Sequence, residues 1–446
     1  MSDLRTFMNY VIPSVLSFAL SGVYAIVDGF FVGNTMGDIG LSAINVAYPI
    51  TAVILAVGTG IGMGGAVQYS ISSAQNKPKK AMNFVNGTLW LLIVSSIIIT
   101  LSAGLFPEFF VSLLGAKGTL LEMGTIYIRV IALGAFLQIG STGLVPMIRN
   151  YGGAFFSMVA MISGFVTNII LDYLLVWVLN LGMTGAGLAT ILGEGLTFLL
   201  ALIYLLKKSS ISLKIPLSII RKISGPVIRV GIAPFGMSLA PNISLVIINW
   251  FSIKYGGDRA VATYACISYV ICVIYLILQG VGDGSQPLMS RYYGAKNLHK
   301  LKITRDMAYV FSLILALLGC FATFYAKGAI GALFGTSASV NAEIEKIIPI
   351  FLVSVPFVSI SRIATASFYA TEKTAFSYVL TFIEPVLMLI LMLILPPFVR
   401  WTDHGLVEQR FCQNNFCDPG ICPEARRREK RKNAIKLSLK QNFGLK

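Results

Sequence analysis

Long apolar runs separated by short polar stretches occupy the first 398 residues of the chain. A helix needs roughly 20 mainly apolar residues to cross a bilayer, and its backbone must satisfy its own hydrogen bonds there. No run alternates between apolar and polar positions as a half-buried strand does. The pattern therefore predicts an all-α polytopic membrane protein with eleven spans: Phe7–Val32, Ile44–Tyr69, Phe84–Phe106, Met123–Val145, Phe155–Leu179, Thr184–Leu206, Val227–Ile253, Val261–Val281, Ala308–Tyr325, Ile347–Phe368 and Phe376–Phe398.

The amino-acid composition supports the same class of protein. Hydrophobic residues make up 56% of the chain and charged residues 12%, whereas a soluble domain has about 45–50% and about 25%. These shares exclude a water-soluble globule and a disordered chain. The formal net charge of +16 fits loops that face anionic lipid, so we expect membrane lipids, and no nucleic acid, among the partners.

Basic residues are distributed unevenly between the two sets of alternate loops. Most of the Lys and Arg residues between the spans, Arg149 among them, lie in one set. Loops on the cytoplasmic side carry the excess of Lys and Arg. We therefore expect a multi-pass protein of the cell inner (plasma) membrane with a cytoplasmic N terminus.

The chain carries an internal repeat at an offset of about 220 residues. At this offset Gly60, Gly62 and Gly64 fall on Gly280, Gly282 and Gly284, and Lys80 falls on Lys300. The shared offset predicts two six-helix lobes related by a parallel internal repeat, residues 1–206 and 227–398, joined by a basic cytoplasmic linker at 207–226. Two such bundles enclose a cleft that can open alternately to either side of the membrane, which is the architecture of a secondary transporter.

The segment 399–446 does not fit this repeat. A twelfth helix is due near residues 404–426, but the segment is polar and basic and cannot cross a bilayer. We interpret the abrupt change after Phe398 as loss of this helix through a shift of the reading frame, which the nucleotide sequence of the gene would test. Cys412, Cys417 and Cys422 have a spacing that is not typical of zinc or iron–sulfur sites, so we expect no bound metal and no cofactor.

Four carboxylic acids lie inside the predicted spans: Asp28, Asp172, Glu194 and Glu384. An ionised side chain at the centre of a bilayer costs about 2.5–3.5 kcal/mol or more, so such residues are candidates for ion or substrate binding. Asn168 lies four residues before Asp172 and therefore on the same face of a helix. An acid beside an amide can hold a proton or coordinate Na⁺ through oxygen atoms. A structural hydrogen bond to a neighbouring helix is the alternative role for each acid.

The second half of the chain offers three weaker candidates. Glu384 precedes Pro385, which interrupts the hydrogen bonding of its helix and frees a carbonyl group. Asp283 lies at the cytoplasmic end of the eighth span, where we expect water to reach it. Asn249 is the approximate repeat counterpart of Asp28. With an acid in one half and an amide in the other, proton chemistry is expected mainly in the first half.

Four motifs in the two halves are distinctive enough to suggest a protein family. Ile12–Gly33 reads IPSVLSFALSGVYAIVDGFFVG, and Asn168–Glu194 reads NIILDYLLVWVLNLGMTGAGLATILGE. The second span continues into GIGMGGAVQYSISSAQNKPKKA, which is echoed after the eighth span by GVGDGSQPLMSRYYGAKN. In these motifs the chain resembles the multidrug and toxic compound extrusion (MATE) family, in particular its bacterial branch.

The resemblance implies a fold, an activity and a site. It implies twelve helices in two lobes, of which the twelfth is missing here, and efflux of cationic, aromatic drugs in exchange for H⁺ or Na⁺. In bacterial members an acid on the first helix, here Asp28, faces an acid and an amide on the fifth, here Asp172 and Asn168. A hydroxyl of the sixth helix, here Thr190, joins them. Protonation or ion binding at this cluster is expected to bend the first helix and release drug.

The sequence thus favours a monomeric antiporter, coupled to H⁺ or Na⁺, that exports several cationic or aromatic small-molecule drugs by alternating access. A flippase for lipid-linked sugars is an alternative, although it calls for a cluster of arginines that holds pyrophosphate. A truncated product without function is another. We do not expect an enzyme, because the spans contain no histidine and the chain has no zinc motif or nucleophile elbow.

Overall fold

The structure is a computed structural model that describes the backbone of residues 3–209, 211–333 and 338–402. Side chains within these ranges are described except at positions 38, 249, 253, 255–262, 331–333, 338–339 and 395–402. Most of the tail, residues 403–446, lies outside the described residues, and with it the predicted position of a twelfth helix and Cys412, Cys417 and Cys422.

Helices connected by short turns make up the described ranges. In chain order they are α1 (Asp3–Gly37), α2 (Ile39–Ala74), α3 (Pro78–Leu105), α4 (Pro107–Leu113), α5 (Thr119–Leu133), α6 (Ala135–Asn150), α7 (Ala154–Val178), α8 (Gly182–Lys208), α9 (Leu217–Ser252), α10 (Thr263–Gly294), α11 (Leu298–Leu333), α12 (Ala338–Ala370) and α13 (Thr374–Thr402). Within the described part of the chain, ten helices are long and apolar enough to cross a membrane, and the number is eleven if the bent pair α5–α6 is counted as one span. The predicted all-α polytopic class is confirmed.

The fourth predicted span, Met123–Val145, is two helices that meet at an angle of 57°. The break lies at Gly134, and a Cβ atom there would stand 2.3 Å from the Cγ2 atom of Ile191 on α8. Glycine therefore allows both the change of direction and the close approach to α8. Pro146, where a kink is the usual expectation for proline, lies inside α6 without such a break.

We call α1–α8 the first lobe and α9–α13 up to Pro385 the second lobe. Both lie in one compact unit, Met1–Pro385, while Val386–Lys446 forms a separate unit whose described part is the end of α13. The segment 209–216 connects the lobes, a shorter connection than the predicted linker at 207–226. It is fastened to the first lobe by Trp90, whose indole Nε1 donates to the carbonyl oxygen of Leu213 at 2.7 Å.

The lobes share a hydrophobic core at the end of the bundle where α1 begins and α2 ends. We call this the N-terminal end. Phe7, Val11 and Val67 from the first lobe pack there with Val281 and Tyr369 from the second, and all five side chains are buried. Two other core clusters lie within one lobe each. The lobes are therefore closed against each other at the N-terminal end.

Close contacts between the backbones of α2 and α9, which glycines make possible, add to this closure. A Cβ atom at Gly64 on α2 would stand 2.1 Å from the carbonyl oxygen of Val227 on α9. A Cβ atom at Gly231 on α9 would likewise stand 2.3 Å from the carbonyl oxygen of Gly60. Gly62 faces the other way, with a Cβ position 2.1 Å from the carbonyl oxygen of Gly143 inside the first lobe. Glycines of one motif on α2 thus serve both the lobe interior and the interface between lobes.

Candidate functional site

The structure brings together the four residues predicted for ion coupling. Asp28 lies on α1, Asn168 and Asp172 lie on α7, and Thr190 lies on α8. The carboxyl groups of Asp28 and Asp172 are within hydrogen-bonding reach of each other. Asn168 and Thr190 line a small cavity of about 10 Å³, which is room for roughly one water molecule.

Burial leaves these polar groups without ordinary partners. Asp172 is 0% exposed and Asn168 is 3% exposed. Among the described residues, the carboxylate oxygens of Asp172 and the amide of Asn168 receive no conventional hydrogen bond. Two ionised carboxylates offer only acceptors to each other, so a proton or a cation is needed to join them. Unpaired polar groups are costly to bury, so this cluster needs a proton or another partner to satisfy it.

The backbone changes its winding at the site. α7 is an α-helix from Ala154 to Leu171 and continues as a π-helix from Asp172 to Val178. π-helical turns inside α-helices are frequent at functional sites. Asp172 is the first residue of this turn, and Asn168 lies one α-helical turn before it.

Tyr127 belongs to the cluster, although the sequence did not single it out. Its side chain is on α5, is 4% exposed, and its hydroxyl group lies beside the hydroxyl of Thr190. The Thr190 hydroxyl also lies 3.0 Å from the carbonyl oxygen of Ala186, to which it donates. A tyrosine within an apolar run gives the same sequence pattern as a packing residue, so no sequence signal distinguished it.

Glu194 lines the same cavity as Asn168 and Thr190. Its carboxylate accepts a hydrogen bond from the hydroxyl of Ser141 on α6. Glu194 is thus held by a partner on a neighbouring helix, which is the structural alternative that the sequence left open for the acids in the spans.

The second-lobe candidates do not join this cluster. Glu384 on α13 is exposed. The side chain of Asn249 lies outside the described residues. The expectation that water reaches Asp283 is wrong, because this residue on α10 is 4% exposed.

Asp283 pairs with an arginine that the sequence assigned to a loop. Arg149 instead occupies the last turn of α6 and is 2% exposed. Its Nη1 atom lies 3.4 Å from the Oδ2 atom of Asp283. The pair joins the first lobe to the second, so neither residue is a solvated surface charge.

The donor set of the first-lobe site suits a small hard cation rather than a transition metal. Within the described residues, no group of three or more His, Cys, Asp or Glu side chains is placed to hold a metal ion. The oxygen atoms of Asp28, Asp172, Asn168 and Thr190 are the ligand type that hard cations prefer.

Comparison with known proteins places this architecture in a family. The family model MatE matches residues 13–174 and 235–394, once in each lobe. The multidrug export protein MepA of Staphylococcus saprophyticus is 28% identical over 292 residues, which cover 65% of this chain and 64% of that protein. MepA of Staphylococcus aureus is 27% identical over 288 residues, covering 64% of each chain. The alignment thus spans just under two thirds of the length of these relatives.

Solved structures share the fold. A multidrug resistance MATE family transporter of the MOP superfamily, in an outward-facing conformation, superposes with a TM-score of 0.80 at 23% identity and covers 85% of each chain. A MOP superfamily transporter from Pyrococcus furiosus superposes with a TM-score of 0.82 at 22% identity, covering 91% of this chain and 90% of that one. With the family model matching both lobes, the chain belongs to the MatE family.

Proposed function

We propose that this protein is an antiporter that exports cationic or aromatic small molecules in exchange for H⁺ or Na⁺ by alternating access. The observation that carries the proposal is the close approach of the carboxyl groups of Asp28, which is half-buried, and Asp172, which is fully buried. The Oδ1 atom of Asp28 and both carboxylate oxygens of Asp172 have no conventional partner among the described residues. The names of the relatives, multidrug export proteins, support the substrate class.

Ion binding and the position of α1 are coupled through the carboxyl groups of Asp28 and Asp172. When a proton or Na⁺ lies between the two groups, α1 and α7 are held together by a charge-assisted contact. When the ion leaves, two like charges remain at short range in surroundings that screen them poorly, so they repel. The arrangement of α1 against α7 therefore depends on the ion. A transporter needs such a difference, because an ion shifts a conformational equilibrium only through unequal affinity for the two states.

The test is ion-driven transport by purified protein in liposomes, with an aromatic monocation such as ethidium as the fluorescent probe. Asp28→Asn and Asp172→Asn replace one carboxylate each by an amide of the same shape, and we expect both variants to lose ion-driven export. Asp3→Asn is the matched control, since Asp3 is an exposed carboxylate on the same helix as Asp28. Ion-driven export by Asp28→Asn at the rate of Asp3→Asn would contradict the proposal.

The same liposomes identify the coupling ion. A pH gradient without Na⁺ and a Na⁺ gradient at constant pH are applied separately. A single acidic proton needs only the two carboxyl groups, whereas Na⁺ needs further oxygen ligands such as those of Asn168 and Thr190. Asn168→Ala is therefore expected to abolish Na⁺-driven export and to leave much of H⁺-driven export, which separates the two mechanisms.

The proposal includes a location and an orientation. The helices identify a multi-pass membrane protein, and we place it in the plasma membrane with the N-terminal end of the bundle in the cytoplasm. The support is the excess of Lys and Arg in the connections at that end. Labelling of a cysteine introduced at the exposed position Gln75 by a membrane-impermeant reagent, in intact cells and in inverted vesicles, tests the orientation. Labelling in intact cells would reverse it.

A further inference from the structure

The buried contact between Arg149 and Asp283 lies between the two lobes, outside the ion site of the first lobe. Arg149 ends α6 of the first lobe, and Asp283 lies on α10 of the second lobe. The two side chains are 2% and 6% exposed. Both charges have been removed from water at the N-terminal end, where the lobes are closed.

Each partner is held in place by its own lobe. Gln279 donates from Nε2 to the Oδ1 atom of Asp283 at 2.8 Å, and the hydroxyl of Tyr369 donates to the same oxygen at 3.5 Å. The guanidinium group of Arg149 lies over the ring of Phe18 on α1, 5.5 Å from its centroid. Each charge is therefore presented to the interface by its own lobe, and the contact between the two charges joins the lobes.

The network extends further into the second lobe. The Nη1 atom of Arg362 on α12 donates to the Oε1 atom of Gln279 at 3.3 Å. Gln279 thus connects Arg362 to Asp283, and it orients its amide so that a donor faces the carboxylate. A second polar contact between the lobes lies nearby, where Asn150 donates to Gln286 at 3.0 Å.

The geometry of the pair suits a contact that forms and breaks. One Nη1 atom meets one carboxylate oxygen at 3.4 Å, which is longer than a strong charge-assisted hydrogen bond. Within the described residues, the Nε atom of Arg149 has no hydrogen-bond partner. A buried pair of this quality adds little net stability, because desolvation offsets the attraction. The loss of one partner, however, leaves an uncompensated buried charge, which is strongly unfavourable.

We propose that Arg149 and Asp283 form the gate of the N-terminal end: closure there requires that neither charge is buried without the other, and opening releases each of them into water. The inference rests on the alternating access of the proposed function and adds the residues that set the balance between its two states. Arg149 and Asp283 are positioning residues, since they act on the lobes and do not touch the ion site. Closure at this end therefore fails when one of the two charges lacks its partner. It stays reversible because the matched pair itself contributes little free energy.

The test measures the separation of the lobes directly. Gln75 of the first lobe and Ala295 of the second lobe are exposed residues at the N-terminal end of the bundle. Cysteines at these positions, in full-length protein whose six native cysteines are replaced by alanine, carry spin labels for distance measurement in liposomes. The readout is the ratio of the short-distance to the long-distance population. Because no transport is measured, failure of the antiport proposal and failure of the gate give different results.

Three variants decide the matter. Asp283→Asn and Arg149→Met each leave one buried charge unpaired, and we expect each to shift the ratio toward the long distance by about a hundredfold. The double variant removes both charges and is expected to return to within about threefold of the unmodified protein. Asp3→Asn is the matched control, because it breaks the exposed contact between Asp3 and Lys300 at the same end, and we expect its ratio to stay unchanged.

Two results would overturn the proposal. One is an unchanged ratio in a folded single variant. The other is a double variant whose shift equals the product of the single shifts, since independent effects would show that the charges do not act as a pair. Should the single variants fail to fold, Gln279→Leu supplies the test without removing a charge. It takes one donor from Asp283, and we expect a shift of about tenfold. No shift in that variant would also count against the gate.

Discussion

Closure by bare backbone contacts predicts a specific effect of one added methyl group. In Gly64→Ala the new Cβ atom on α2 would stand 2.1 Å from the carbonyl oxygen of Val227 on α9, against 3.4 Å at the limit of ordinary contact. About 1.3 Å of separation is needed. The partner is backbone, which has no rotamer that could move aside. Parting the lobes at the N-terminal end relieves the clash without disturbing either lobe.

The size of the effect follows from the cost of overpacking. One extra methyl group in a well-packed contact costs about 1–3 kcal/mol, and here the cost falls only on the closed state. The ratio of closed to open molecules should therefore fall by about 5–150-fold. The assay is the distance between labels at positions 75 and 295. Gly225→Ala is the control for the change of residue type, because a Cβ atom at this α9 glycine meets nothing within 4 Å.

A contrasting variant separates gating from folding. Gly62 faces Gly143 within the first lobe, so the clash in Gly62→Ala cannot be relieved by parting the lobes. This variant should lower the thermal stability of the protein more than it changes the distance. If Gly64→Ala and Gly225→Ala have the same distance distribution, the reasoning about the closed interface is refuted.

Two further changes test smaller features. Tyr127→Phe removes the hydroxyl that lies beside Thr190, and the loss of one such polar contact costs about 0.5–1.5 kcal/mol. The ion concentration for half-maximal export should rise by up to about tenfold, and an unchanged value would place Tyr127 outside the ion site. Trp90→Phe removes the donor to Leu213 and should speed proteolytic cleavage of the segment 209–216, measured by limited proteolysis; equal cleavage rates would show that this hydrogen bond does not fasten the connection.

Hydrophobicity and spacing were sufficient to predict the spans and to single out Asp28 and Asp172 as candidate residues. Spans are visible because each must be almost wholly apolar. Asp28 and Asp172 stand out for the same reason, since a carboxylate within such a run is costly. The predicted grouping of these acids with Asn168 and Thr190 depended on the family resemblance, and the structure confirms that they lie together.

The contact between Arg149 and Asp283 could not be predicted in the same way. It joins residues 134 positions apart, and each lies at the end of a span, where a charge is usually solvated. A basic residue next to a turn therefore suggests a loop charge, although Arg149 is among the largest fully buried side chains. The break at Gly134 was missed for a related reason: proline signals a kink through its own chemistry, whereas glycine permits one only when a neighbour such as Ile191 approaches closely.

The hydrophobic core shared by the lobes has a thermal consequence. Any state that opens the N-terminal end must expose Phe7, Val11 and Val67, together with their partners Val281 and Tyr369, to water. Exposure of apolar surface raises the heat capacity, and the drive to hide that surface weakens on cooling. The ratio of molecules closed at the N-terminal end to molecules open there should therefore depend on temperature. Low temperature should favour the open molecules, in which water reaches this shared core.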